Sequence, residues 1–198
     1  RRRIALVPQD VTIFAATIRD LPRVLSCGAD VVPGQYAVSA RVGFAAALTS
    51  ILLVLVILVP ALVMTRASVA EKLGMPVVAR VVATAAHAQE PSKFTTAPVP
   101  AIRKVLEKAG WSVDDVDLFE VNEAFAVVAM APIKELGIDH ARLNVNGGAC
   151  ALGHPIGCSG ARLVVTLAYA LKARGGKKGV ASLCIGGGEA TALAIELV

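Results

Sequence analysis

The residues of this chain best equipped for chemistry gather in three short clusters, each where an apolar run gives way to a turn. Asn122-Glu123-Ala124-Phe125 sets an amide beside a carboxylate. The stretch from Asn144 to Arg162 carries one imidazole, His154, two thiols, Cys150 and Cys158, and five glycines within the fourteen residues Gly147 to Gly160. Cys184-Ile185-Gly186-Gly187-Gly188 ends an apolar run on a thiol followed by bare backbone.

Each cluster has a plain structural reading and a chemical one. Asn122 and Glu123 suit the start of a helix, where an amide satisfies free N–H groups and a carboxylate meets the positive end. His154 sits between Gly153 and Pro155, so its ring is rigidly placed, as general-base work requires. The glycines around it allow tight turns and close backbone approach, and the helix that follows can point N–H groups at a ligand. Cys184 reads either as a buried residue before a hairpin or as a thiol open to substrate, with the N–H groups of the glycines as an oxyanion site. Cys150, His154 and Cys158 have the spacing of one helix face, but Gly153, Pro155 and Gly157 forbid that helix. A structural zinc also wants four ligands, so no metal is expected. The glycines at 186–188 lie between two strands rather than between a strand and a helix, which excludes a dinucleotide fingerprint.

The elements that must carry these clusters follow from periodicity and breakers. A short helix over Ala67–Leu73 stops at Gly74, and Val77–Thr84 is a valine-rich strand. Residues Glu90–Val99, with their prolines, form an irregular connection, and Pro100 opens a helix through Lys108 with Ile102, Val105 and Leu106 on its apolar face. Asp117–Val121 is a short buried strand, Ala124–Leu136 an apolar helix kinked at Pro132, and Leu143–Asn146 a strand. Ser159–Arg174 is a helix, and Gly179–Ile185 and Ala190–Leu197 are two closing strands. This order predicts an α/β layered domain.

Composition narrows the function classes. Residues 1–100 hold ten Lys/Arg against five Asp/Glu, whereas residues 101–198 hold ten against ten, so the net charge of +5 comes from the first half. Aromatic residues make up 4%, too few for the stacking platforms of single-strand binding, and no nucleic-acid partner is expected. The four cysteines form no paired framework, which points to a reducing, cytoplasmic compartment. The mean hydropathy of +0.67 traces to Val42–Thr65, which carries no charge. That run is long enough for a membrane span of roughly 20 residues. Its centre, Ile51–Val59, is dense in β-branched residues and closed by Pro60, so a buried strand fits better than a span.

Taken together and in order, the clusters resemble the thiolase family: NEAF at 122–125, NVNGGACALGHPIGCSGAR at 144–162 and CIGGG at 184–188 match its three C-terminal signatures. The stretch VARVVATAAHAQEPSKFTTAPVPAIRKVLEKAGW, ending at Trp111, is similar to the family's bacterial acetyl-CoA acetyltransferases. The resemblance runs from about Ala61 to Val198. It implies a layered αβα domain with a mixed sheet, one half of the duplicated thiolase fold. It also implies the Claisen condensation of two acetyl-CoA molecules to acetoacetyl-CoA and the reverse thiolysis, with coenzyme A thioesters as substrates, no permanent cofactor, and a homo-oligomeric assembly. Carried over by motif, His154 activates the nucleophilic cysteine and, with Asn122 through a water, holds the enolate oxygen. Cys184 is the acid/base at the α-carbon, the Gly186 N–H contributes to a second oxyanion site, and Glu123 organises Asn122.

Two departures accompany the match. The family's nucleophilic cysteine belongs to its other half, and none of Cys27, Cys150 or Cys158 lies in a motif matching that of the nucleophile, so the chain is expected to be an inactive fragment by itself. Residues 1–60 match nothing, and where a small polar loop for coenzyme A is expected they offer Ile51–Val59. A one-base shift converts codons of small polar residues into those of Val, Leu and Ile, so we read residues 1–60 as out of frame or misfolded, and no coenzyme A contacts are assigned. Two other classes compete: a ketoacyl-synthase-like condensing enzyme, which would carry a second histidine where this chain has Cys184, and a non-catalytic module tethered to a membrane through residues 42–65.

Overall fold

The computed structural model describes residues 11–14 and 62–198. Cys27, residues 42–61 of the uncharged run and the expected coenzyme A loop lie outside the described residues. Strands β1 (Val11–Phe14), β2 (Val63–Arg66), β3 (Ala79–Ala88), β4 (Leu118–Val121), β5 (Lys178–Cys184) and β6 (Glu189–Leu197) form one sheet in the order β2-β1-β3-β6-β5-β4. Pairing is antiparallel except between β4 and β5, which run parallel, so the sheet is mixed. Helices α1 (Ala67–Lys72), α2 (Pro98–Ala109), α3 (Ala126–Leu136), α4 (Ala149–Leu152) and α5 (Ser159–Arg174) connect the strands. Among the described residues, no helix is long and apolar enough to cross a membrane.

Alternation along the strands sends side chains to two cores, one on each face of the sheet. On one face Ile102, Val105 and Leu106 of α2 pack with Phe119, Val121, Val180 and Ala194, and with Val128 of α3. On the other, Leu163, Leu167 and Leu171 of α5 pack with Leu118, Ala181 and Ile195. Helices therefore cover both faces of β4 and β5, giving three layers, and the four residues of β4 are all buried.

Several expected boundaries shift for local reasons. Helix α2 begins at Pro98 rather than Pro100, because the fixed φ of proline suits a first helical position and Ala97 before it is already helical. It ends on Gly110 at φ 68°, a left-handed stop that glycine adopts without a Cβ penalty. The connection at 90–99 contains a 3-10 turn over Pro91–Thr96. Leu143–Asn146 is not a strand: Leu143 makes one bridge to Phe119, and Asn144 then turns to φ 50°, which ends extended pairing. Asn122 and Glu123 are not a helix cap, since α3 starts at Ala126 behind an extended Phe125.

Candidate active site

Two parallel strands set the site. β4 and β5 point their carboxyl ends toward the same edge, the place where open α/β sheets present ligand-binding loops. Asn122 follows β4 directly, and its N–H donates to the Ser182 carbonyl at 2.9 Å, which ties it to β5 two residues before Cys184. Cys184 is the last residue of β5 and pairs with Ala190. Its thiol is buried, and that burial pushes it above the ordinary thiol range, partly offset by a backbone hydrogen bond. The turn that follows is closed by Ile185 N–H to Glu189 O at 2.7 Å and Gly188 N–H to Ile185 O at 3.1 Å. The Gly186 N–H has no protein acceptor among the described residues, and a Cβ at Gly186 would meet nothing within 4 Å. Two residues past the Cys184 thiol, this N–H is a donor available to a ligand oxygen.

His154 reaches the same edge from the glycine-rich loop. Gly153 at φ 91° turns the chain, and the exposed ring lies between two partners. Its Nε2 faces Asn122 Nδ2 at 3.3 Å, and its Nδ1 faces Ser159 Oγ at 2.6 Å. Ser159, at the start of α5, also donates to the Pro155 carbonyl at 3.1 Å. With its one proton used there, Ser159 accepts from Nδ1–H, which leaves the Nε2 lone pair toward the edge.

Glu123 braces the loop rather than the reaction centre. Its carboxylate accepts from Asn144 Nδ2 at 2.9 Å and from the Cys150 N–H at 3.0 Å. Asn144 also pairs its side-chain amide with both backbone groups of Val121, at 2.8 and 2.9 Å, completing the outer edge of β4 as a short strand would. Gly148 is buried against this carboxylate, and a Cβ there would overlap it. Gly148→Ala should therefore cost about 1–3 kcal/mol by overpacking, because Glu123 cannot retreat without losing both acceptor bonds. A thermal melt of the Gly148→Ala chain checks this, and a midpoint equal to that of the parent would rule it out.

Of the residues singled out from sequence, Asn122 and His154 meet directly, Cys184 and Gly186 share the same sheet edge, and Glu123 stands one step back on the loop. Cys150 is exposed and Cys158 half-buried, and among the described residues no group of His, Cys, Asp and Glu is placed to hold a metal ion. Sequence reasoning missed Ser159, Asn144, Glu120 and Arg162. Glu120 is buried in β4 with Arg162 Nη1 at 3.0 Å from its Oε2. Burial pushes the Glu120 carboxyl up to about 7, against the opposing charge and hydrogen bond of Arg162. A single charged residue inside the otherwise apolar run Leu118-Phe119-Glu120-Val121 was the available signal.

Residues 75–197 match the family model described as thiolase, C-terminal domain. An acetyl-CoA acetyltransferase of Allochromatium vinosum is 52% identical over 134 residues, which are 68% of this chain and 34% of that protein. A cytosolic acetyl-CoA acetyltransferase of Mus musculus is 48% identical over 136 residues, 69% of this chain and 34% of its own length. The crystal structure of the Bacillus anthracis acetyl-CoA acetyltransferase superposes with a TM-score of 0.67 at 48% identity, over 69% of this chain and 35% of that one. Human mitochondrial 3-ketoacyl-CoA thiolase in complex with CoA gives a TM-score of 0.67 at 43% identity, over the same shares. The chain thus spans about a third of the length of the curated relatives it matches.

Proposed function

The chain belongs to the thiolase family, and on that premise we propose that residues 61–198 are the C-terminal catalytic domain of an acyl-CoA C-acyltransferase. The reaction is the condensation of two acetyl-CoA molecules to acetoacetyl-CoA and the reverse thiolysis. The observation that carries this reading is the pair Asn122 Nδ2 and His154 Nε2, 3.3 Å apart, at the strand edge that also ends in Cys184.

Joining two acyl groups needs a nucleophile to hold the first, a base to take an α-proton from the second, and donors for two negative oxygens. His154, whose unprotonated Nε2 is held only by the 3.3 Å contact with Asn122 Nδ2, takes the proton of the acyl-accepting thiol. That thiol has to come from residues outside 61–198, because Cys150 and Cys158 lie in the signature that carries His154 and not in a motif matching that of the nucleophilic cysteine. Once protonated, Nε2–H and the Asn122 amide are two donors facing one acceptor, directly or through a water, and they hold the enolate oxygen. Cys184 moves the α-proton, and the Gly186 N–H receives the oxygen of the acyl-enzyme. Glu123 keeps the glycine loop, and hence His154, in place.

The substrate is a coenzyme A thioester, as the bound CoA of the human neighbour suggests by similarity. A cytoplasmic location accords with the thiol content and with the cytosolic mouse relative, while the human neighbour is mitochondrial. A homo-oligomer is the assembly proposed, with residues 1–60 contributing nothing assigned.

A chimaera tests the reading: residues 62–198 joined to the part of the Allochromatium vinosum relative that the match leaves out. In deuterated water it should exchange the α-protons of acetyl-CoA, followed by mass spectrometry, and cleave acetoacetyl-CoA when free CoA is added. A folded chimaera that binds CoA but does neither would overturn it.

A further inference from the structure

Glu120 and Asn122 are two residues apart along the extended chain of β4 and its exit, so their side chains leave the same face, toward α5. Arg162, in the first turn of α5, meets both. Its Nη1 donates to Glu120 Oε2 at 3.0 Å and its Nη2 lies 3.5 Å from Asn122 Oδ1. The pair is out of water, with side-chain exposures of 14% for Arg162 and 1% for Glu120, and Glu120 Oε1 has no hydrogen-bond partner among the described residues.

Fold stability does not account for this arrangement. Taking two charges out of water costs about as much as their attraction returns, and apolar side chains of equal volume commonly serve a core as well or better. The first turn of a helix is also the end where a cation is disfavoured. What the pair does accomplish is local. A guanidinium only donates, so the amide atom it faces has to be the oxygen of Asn122, and Nδ2 is left for His154.

We infer that the buried Glu120–Arg162 pair is a positioning device that fixes which end of the Asn122 amide faces His154. The consequence passes along one chain of protons. With Nδ2–H toward the ring, Nε2 is the acceptor, Nδ1 carries the proton, and Ser159 accepts at 2.6 Å while donating to the Pro155 carbonyl. With the amide reversed, Oδ1 would call for Nε2–H, and Ser159 could turn its proton to Nδ1 instead. The serine tolerates both orders, and Arg162 breaks the tie. Its value for catalysis rests on the acyl-transfer reading above: a reversed amide would present an oxygen, not a donor, to the enolate, and would remove the lone pair that accepts the nucleophile's proton.

The test needs no acyl-CoA. In the ¹⁵N-labelled 198-residue chain above neutral pH, long-range proton–nitrogen spectra of the His154 ring, assigned by their loss in His154→Ala, should show the Nδ1–H form predominating, the opposite of free histidine. In Glu120→Gln, and in the double variant Glu120→Leu/Arg162→Met that replaces the pair by apolar volume, the tautomer ratio should move toward Nε2–H by roughly three- to tenfold, the worth of one hydrogen bond. A parent chain dominated by Nε2–H would overturn the inference even if both variants failed to fold. So would a double variant that melts like the parent and keeps its tautomer ratio. Either failure leaves the acyl-transfer reading standing, and a chimaera inactive toward acetyl-CoA would leave the tautomer result intact.

Discussion

Cys184→Ser in the chimaera should slow α-proton exchange by roughly 10²–10⁴, the usual contribution of a positioned general base, while the acyl group of acetyl-CoA still transfers to the nucleophile. The thiol is buried at the end of β5, and burial holds its pKa above the ordinary value of 9.0. At neutral pH it is therefore protonated, ready to quench the carbanion formed in thiolysis. In the condensing direction the sulfur must first lose its proton, so exchange in the parent should keep rising as the pH approaches and passes 9.0. In that step the thiolate takes the α-proton, the C–H electron pair moves into the thioester as an enolate, and the oxygen is received by His154 and Asn122. A serine hydroxyl is a far weaker acid than a thiol, so its anion is essentially unavailable. Trapping the acyl-enzyme with labelled acetyl-CoA separates this from a folding defect. Normal exchange in Cys184→Ser, or its loss in Cys158→Ala instead, would sink the assignment.

The parts of this arrangement visible in the sequence were those set by short-range rules. Gly74, read as the stop of the first helix, lies in the left-handed region at φ 60°, and such a stop is readable because only local backbone sterics decide it. Asn122, His154 and Cys184 were picked out because their residue types are unusual beside strand ends and glycines, and their motif order suggested a family. What the sequence hid was contact at long range. Asn144 looked like part of a strand, but its side chain takes the place of one, pairing with Val121 from 23 positions away. Asn122 looked like a helix cap because Phe125, which lies extended before α3, carries no signal for that geometry. The tie from Glu120 through Arg162 spans 42 positions and depends on α5 crossing β4, which no periodicity encodes. The apolar centre at 51–59 dominated the composition, yet the three-layer architecture is complete enough around β3 to β6 to be described without it.

His154→Ala should differ from Cys184→Ser by damaging both half-reactions. Acylation should fall because the Nε2 lone pair no longer takes the nucleophile's proton, and exchange should fall because one of two donors to the enolate is gone. Loss of a single oxyanion donor is worth roughly 10²–10³, and loss of a general base roughly 10²–10⁴. The substitution should leave the fold almost untouched, within about 0.5 kcal/mol, since the ring is exposed and its neighbours Gly153 and Pro155 shape the loop through the backbone. An equal melt with both activities reduced is therefore the expected pair of results. Ser159→Ala should be milder, because it removes the partner of Nδ1 and loosens the ring without removing the base. If His154→Ala formed the acyl-enzyme at the parental rate, the nucleophile would be activated by some other group. The Asn122–His154 pair would then serve the enolate alone.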